Sequence, residues 1–282
     1  MNEKILNTLM HLFAIIAPAQ GNESDRRRVV EAFLRPQLNQ EGVKAYLRIF
    51  DTYYAEAQQR LKKGIEARRN AAISVRIIKI CFDIGIQLTL NQKIIVLVQL
   101  LEYCRSDNAG VSNTELEFII TAAEGFNINP EDYQLIQQFV LSTREEVPES
   151  ARILVIDNDR ATSYEKTHHI INDSFRGQVR VLNLPQAEML FVRSFGTGEL
   201  LLSGQLRHED RVYLFERGAS LKFMSSKPIY YSEVIRQFLD ENALASRVVY
   251  EASDIEYKFK GGQVGLHRMS FAEESGRLIG IM

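Results

Sequence analysis

Between Arg144 and Ser150, in the stretch REEVPES, the apolar residues of this 282-residue chain change their spacing. Before that stretch they recur every three or four positions, and after it they alternate or come in short blocks. One kind of element cannot serve both periods, because a 3.6-residue repeat lines one face of a helix and a two-residue repeat lines one face of a strand. The stretch itself is polar and contains Pro148, as at a boundary between elements. The chain is therefore expected to be α+β and multidomain, with an all-α bundle first and a β-rich region second.

In the first half, Val43, Tyr46, Leu47, Phe50, Tyr54, Ala57 and Leu61 share one face of a long helix, and Ile94, Ile95, Val98, Leu101 and Tyr103 belong to another. Ile5, Leu9, Leu12, Phe13 and Ile16 are also at helical spacing, and Asn7 and His11 interrupt the run, which favours an amphipathic helix over a secretory leader. No run approaches the ~20 apolar residues of a membrane-spanning helix. Cys81 and Cys104 lie within apolar helical patterns and read as small core residues. The stretches Leu12 to Gly21 and Leu101 to Gly110 have the same separation, and each leads into a polar helix start, so the half reads as an internal duplication. With Gly21 set on Gly110, Pro18 and Arg26 stand where Asp107 and Glu115 stand in the second copy.

In the second half, RILVID, GQVRVLNL, EMLFVRS, ELLLSG, RVYLF and SLKFM are β-branched or aromatic runs separated by turn residues, the spacing of a small antiparallel roll or sandwich. YYSEVIRQFLDENALA returns to helical spacing as a connector, with Ser232 as its expected N-cap. RVVYEASDIEYKF then leads to a Gly261-Gly262 turn and a GLHRMSF segment, and RLIGIM reads as a buried strand after which further chain is expected. The expected limits are 1–145 for the helical domain, 146–228 for the β domain, 229–250 for the connector and 251–282 for the final segment.

A charged fraction of 25% and a formal net charge of -2 give no whole-protein preference for nucleic acid or membrane. The basic groups Arg26-Arg27-Arg28, Lys62-Lys63 and Arg68-Arg69 could face anionic lipid, but each sits beside apolar helical positions and reads as a solvated face. His168-His169 with Asp173 lacks a third ligand or nucleophile at regular spacing and reads as a surface turn.

LVQLLEYCRSDNAGVSNTELEFIITAAEGFNINPEDYQLIQQFV resembles the tellurite-resistance TerB-like helical domain, through Asp107, Gly110, Ser112, Glu115 and the later Asn129-Pro130-Glu131-Asp132. The resemblance implies a divalent-metal site at Asp107 and Glu115. Ser112 and Glu115 equally satisfy a capping box without metal. EMLFVRSFGTGELLLSGQLRHEDRVYLFERGASLKF resembles the later strands of a forkhead-associated (FHA) β-sandwich, with Leu202-Ser203-Gly204 and Phe215-Glu216-Arg217-Gly218 at its turns. That family's phosphothreonine-reading Ser-Arg-x-x-His motif is not found.

IEYKFKGGQVGLHRMSFAEESGRLIGIM resembles the opening of an ATP-binding cassette (ABC) ATPase, the strands that lead to the phosphate-binding loop. The resemblance implies that Phe259, with Tyr257 as the alternate, stacks on adenine. No GxxxxGK[ST] loop occurs in these residues, so the chain alone is not expected to hydrolyse ATP. The order TerB-like, FHA-like, ATPase is similar to the N-terminal part of Bacteroidetes-type ABC exporter subunits. It implies a non-catalytic regulatory or docking region at the cytoplasmic face of the bacterial inner membrane. In the whole protein it implies ATP and magnesium, nucleotide-binding and transmembrane domains as partners, and a dimer. The alternative from the residues themselves is a stand-alone interaction adaptor, whose last strands close its own sheet.

Overall fold

The computed structural model describes residues 3–17, 23–61, 66–106, 110–173, 175–196, 200–223, 227–239 and 249–274. The helical periodicity becomes α1 (Glu3–Ile16), α2 (Glu23–Leu34), α3 (Gln40–Leu61), α4 (Glu66–Gly85), α5 (Leu90–Arg105), α6 (Asn113–Gly125) and α7 (Pro130–Leu141). Local chemistry sets several starts. Thr89 and Gln92 form a capping box at α5, Ser112 and Glu115 form another at α6, and Asn129 accepts from Glu131 N with Pro130 in the first turn of α7.

The duplication extends through three helices. Ile5 and Ile94, Leu9 and Val98, Val29 and Phe118, Val30 and Ile119, Leu47 and Ile136, and Phe50 and Phe139 each stand 89 positions apart, and all are buried. The contacts repeat as well: α1 packs on α3 as α5 packs on α7, and α2 crosses to α5 as α6 crosses to α1. α4 stands outside the repeat, packed on α6 and α1, where Gly125 lies so close to Cys81 that an added Cβ would sit 2.7 Å from its Cβ.

The alternating runs become β1 (Ile153–Asp157), β2 (His168–Ile171), β3 (Gln178–Leu184), β4 (Met189–Phe195), β5 (Leu200–Leu202), β6 (Gln205–Leu206), β7 (Val212–Phe215), β8 (Ser220–Phe223) and β9 (Ile229–Tyr230). They form a five-stranded sheet in the order β2-β1-β3-β4-β7 and a four-stranded sheet in the order β6-β5-β8-β9. The pairing is antiparallel except for β1 with β2, so the expected all-antiparallel roll is mixed at one edge. A ten-residue connection returns β2 alongside β1 in the same direction instead of turning it back as a hairpin. Ser203 and Gly204, at φ 51 and 78, form the tight β5–β6 turn.

Strand alternation decides which side chains meet the helices. Ile153, Val155, Leu182, Leu184, Met189, Phe191 and Val212 join the same apolar cluster as the helical core. Helices and sheet therefore share one core inside a compact unit spanning Met1–Val234. Burying a large aliphatic side chain there is worth roughly 1.5–3 kcal/mol. A short helix, α8 (Tyr231–Gln237), begins one residue before Ser232, so that serine lies in its first turn and does not cap it.

Residues 235–282 form a second unit, which takes in the end of α8 and a hairpin of β10 (Val249–Lys258) and β11 (Val264–Glu274). β10 pairs with β11 and, among the described residues, with no other strand. The expected buried strand RLIGIM lies outside the described residues. No helix among the described residues is long and apolar enough to cross a membrane.

Candidate functional site

The two aromatic residues singled out in the final segment meet on the hairpin. Tyr257 is the last residue but one of β10 and Phe259 opens the turn, where Phe259 N donates to Gln263 O and Gly262 N donates to Phe259 O, both at 2.9 Å. Gly262, at φ 83, supplies the left-handed turn residue. The rings stand edge to face with centroids 5.1 Å apart, and they are 57% and 54% exposed. Their floor is Gly265 on β11: a Cβ there would lie 2.6 Å from Phe259 Cε2 and 3.0 Å from Tyr257 Cδ1. A glycine at this point lets both rings approach the strand backbone closely. The result is a π surface open to solvent, able to take a flat heteroaromatic ring. Beside it the backbone is fixed by Asp254 N donating to Ser270 Oγ at 2.8 Å and by the Arg268–Asp254 pair at 3.1 Å.

Of the acidic pair of the helical half, the structure describes Glu115 alone. Asp107 lies outside the described residues, and both oxygens of Glu115 have protein partners. Glu115 Oε2 accepts from Ser112 N at 2.8 Å and Ser112 Oγ at 2.7 Å, and Oε1 accepts from Arg26 Nη2 at 3.2 Å. Arg26 and Glu115 are 1% and 2% exposed. They are also the residues that the duplication makes equivalent, so the pair bridges the two copies where their repeat relation brings one position against its counterpart. A repeated carboxylate there would repel its copy, and the arginine turns repulsion into attraction. Burial holds the Cys104 thiol well above its usual range and pushes Cys81 up to about 12, so neither is a reactive thiolate. Among the described residues, no group of three or more His, Cys, Asp or Glu side chains is arranged to hold a metal ion.

The basic run reads differently once folded. Arg26 is buried, while Arg27 binds Asp51 at 3.0 Å and Arg28 binds Asp25 at 3.0 Å, so each arginine has a carboxylate of this chain. Lys62 and Lys63 and the side chains of Arg68 and Arg69 lie outside the described residues.

Sequence reading missed a polar seam between helices and sheet. Arg180 and Arg193 face each other across β3 and β4 on the helix side, with guanidinium carbons 4.4 and 4.5 Å from the Phe195 ring centroid. Arg193 donates to the α7 carbonyl of Phe139 at 2.7 Å and to Asp210 Oδ1 at 2.6 Å. Asp210 Oδ2 also accepts from Arg105 at 2.5 Å, and Arg105 reaches Glu102 at 2.7 Å. Arg180 donates to Ser142 Oγ at 2.9 Å and to the Arg144 and Glu146 carbonyls, which ties down the stretch joining the two halves. Burial, helped by Arg193, lowers the Arg180 pKa to about 10, and burial together with Arg105 lowers that of Arg193. The missed signal was an arginine at an inward position of each of two neighbouring strands, where apolar residues were expected.

From Arg180 the polar chain runs outward: its Nε donates to Gln178 Oε1 at 2.7 Å, and Gln178 donates to Asp157 Oδ2 at 3.2 Å. Asp157 Oδ1 lies 2.8 Å from His169 Nε2, beside a cavity of about 440 Å³ that includes Tyr164 and Asp159. His169 thus pairs with Asp157, while Asp173 pairs with Arg160 at 2.8 Å. Among the described residues no hydroxyl or thiol hydrogen-bonds this imidazole, so the pair orients a histidine without activating a nucleophile. A second cleft, of about 690 Å³, separates α2 and α5 from the sheet; Ile95, Val98 and Phe191 line it, and Arg207 stands 5.0 Å over the Tyr213 ring. Comparison of the chain with protein-family models, curated proteins and solved structures finds no match in any of the three.

Proposed function

We propose that this chain is a cytoplasmic regulatory or docking region of an ABC transporter ATP-binding subunit, with residues 249–274 as the opening strands of the ATPase. The observation that carries the reading is that, among the described residues, β10 and β11 pair only with each other and hold Tyr257 and Phe259 open over Gly265. An adaptor closed by its own last strands would need those strands in one of the sheets of residues 146–230. In the proposed role Phe259 stacks on adenine with Tyr257 edge-on behind it. Phosphates and magnesium are held elsewhere in the whole subunit, so this chain contributes base recognition without hydrolysis. Residues 1–234 then act as one rigid body, because the Arg193–Asp210–Arg105 seam fixes the sheet to α5 and α7. The protein works at the inner face of the inner membrane, with transmembrane and nucleotide-binding domains as its partners.

The test has two arms. In the ATPase-bearing protein, Phe259→Ala should weaken ATP binding by about 1–3 kcal/mol, the worth of one base stacked on an aromatic ring. Tyr257→Ala should cost less. Equal ATP affinity in wild type and both variants would exclude the reading, as would a stop codon directly after Met282.

A further inference from the structure

α4 is apolar on two opposite faces. Ile77, Ile80, Cys81 and Ile84 are buried against the bundle. On the other side, Val75, Ile78 and Phe82, with Ile86 just past the helix end, are 68%, 46%, 64% and 77% exposed. Spacings of three, four and four residues place these side chains in one stripe along the helix. A contiguous stripe of large apolar residues differs from scattered surface hydrophobics and marks an interaction face. α4 is also the one helix of the first seven with no counterpart in the duplication, so the fold supplies no internal partner of the kind that covers the repeated helices.

We propose that this stripe is the interface between two copies of this chain, with the two α4 helices antiparallel about a two-fold axis beside residues 80 and 81. The pattern is self-complementary about that point. Ile78 and Phe82 are centred on position 80, Val75 and Ile86 midway between 80 and 81, and Lys79 and Asp83 on 81, so the three centres fall within about one helical rise of one another. Turning a second copy end over end lays Ile78 on the second copy's Phe82 and Val75 on its Ile86, and the same contacts recur in reverse, as an isologous interface requires. Lys79 and Asp83 lie on the same flank of the stripe. In an antiparallel pair, same-flank positions face each other, so each Lys79 meets the opposite Asp83 on both sides of the axis. Both residues are exposed and have no side-chain partner among the described residues. A partner of unrelated sequence would have no reason to match this symmetry. A single helix pair buries less than the roughly 1,200 Å² of most stable complexes, so the dimer should form in a concentration-dependent way.

Sedimentation equilibrium of the 282-residue chain over about 1–200 μM tests the proposal, a range suited to interfaces at the low end of size. Wild type should show a monomer–dimer equilibrium, and Phe82→Glu should weaken it at least about 30-fold, as loss of a central apolar anchor does. Lys79→Asp and Asp83→Lys should each weaken the dimer about tenfold by placing like charges in contact. The double exchange K79D/D83K should return to within about threefold of wild type, and mixing the two single variants should give mixed dimers, because both restore opposite charges. All three substituted side chains are exposed, so unchanged circular dichroism confirms that each variant is folded. A wild-type chain that stays monomeric throughout, a dimer indifferent to Phe82→Glu, or a double exchange no better than either single variant would each overturn the proposal.

Discussion

In the region built from helices and sheets, Arg26, Glu115 and Arg193 are 1%, 2% and 2% exposed and every one has a partner of opposite charge. In the hairpin, Tyr250, Tyr257 and Phe259 are 65%, 57% and 54% exposed, and the ion pairs Lys258–Glu256 and Arg268–Asp254 lie at the surface. Breaking a buried ion pair strands a charge at high cost, so buried charges that each meet a counter-ion mark a region that completes its own fold. A two-stranded ribbon with its rings in water is at best marginal alone. The contrast assigns stability to the first region and is consistent with the recognition role proposed for the second, and substitutions in each should separate the two.

The largest effect should come from Glu115→Ala, which strands Arg26 inside the bundle and should cost about 3–5 kcal/mol in urea unfolding. Replacing both partners with methionine should recover most of that loss, since an apolar pair removes the stranded charge. A small loss in the single variant would mean that water reaches the pair, and the contrast between regions would weaken. Asp210→Ala should cost less, about 1.5–3 kcal/mol for charged hydrogen bonds, because Asp210 is 49% exposed while Arg193 beside it is buried. Cooperative unfolding should also split into two steps if the seam is what joins helices to sheet.

A smaller effect concerns His11, stacked on Tyr53 with ring centroids 4.6 Å apart. Burial, with Arg76 and Arg60, lowers its pKa to about 4. Between the unfolded value near 6.5 and that folded value, the unfolded chain takes up a proton that the native chain refuses. Stability should therefore fall as pH drops through this window, and His11→Phe should flatten the slope relative to wild type. Gly265→Ala should leave the unfolding midpoint of the first region unchanged, while its methyl displaces Tyr257 and Phe259 and lowers hydrogen-exchange protection in the hairpin.

What was legible in the sequence follows the same division. Helices came from period and caps: Ser112, Glu115 and Pro130 announce their roles within four residues, and the structure keeps them. The change of period at 144–150 marked where helices end, but not that Ile153, Leu182 and Phe191 would share the helical core, because a long-range contact leaves no local pattern. Arg26 and Glu115 could be aligned from the duplication, yet their meeting required the crossing of α2 over α5. Arg180 and Arg193 were hidden because each sits in a strand that reads as apolar, and only the register puts them opposite one another. The parallel placement of β2 was likewise invisible, since a four-residue strand with no fully buried residue carries no sign of direction. Tyr257 and Phe259 were visible as aromatics beside a glycine turn, and the structure adds the Gly265 floor that alternation alone does not show.

The most direct measurement compares the full chain with one ending at residue 239, by urea unfolding and by backbone amide spectra. The account predicts the same midpoint within about 0.5 kcal/mol, as for changes outside a folded core, and unchanged amide positions for β1 to β9. Loss of cooperative unfolding, or displaced amides across the five-stranded sheet, would show that the hairpin completes this fold and would contradict the proposal that it belongs to a separate nucleotide-binding domain.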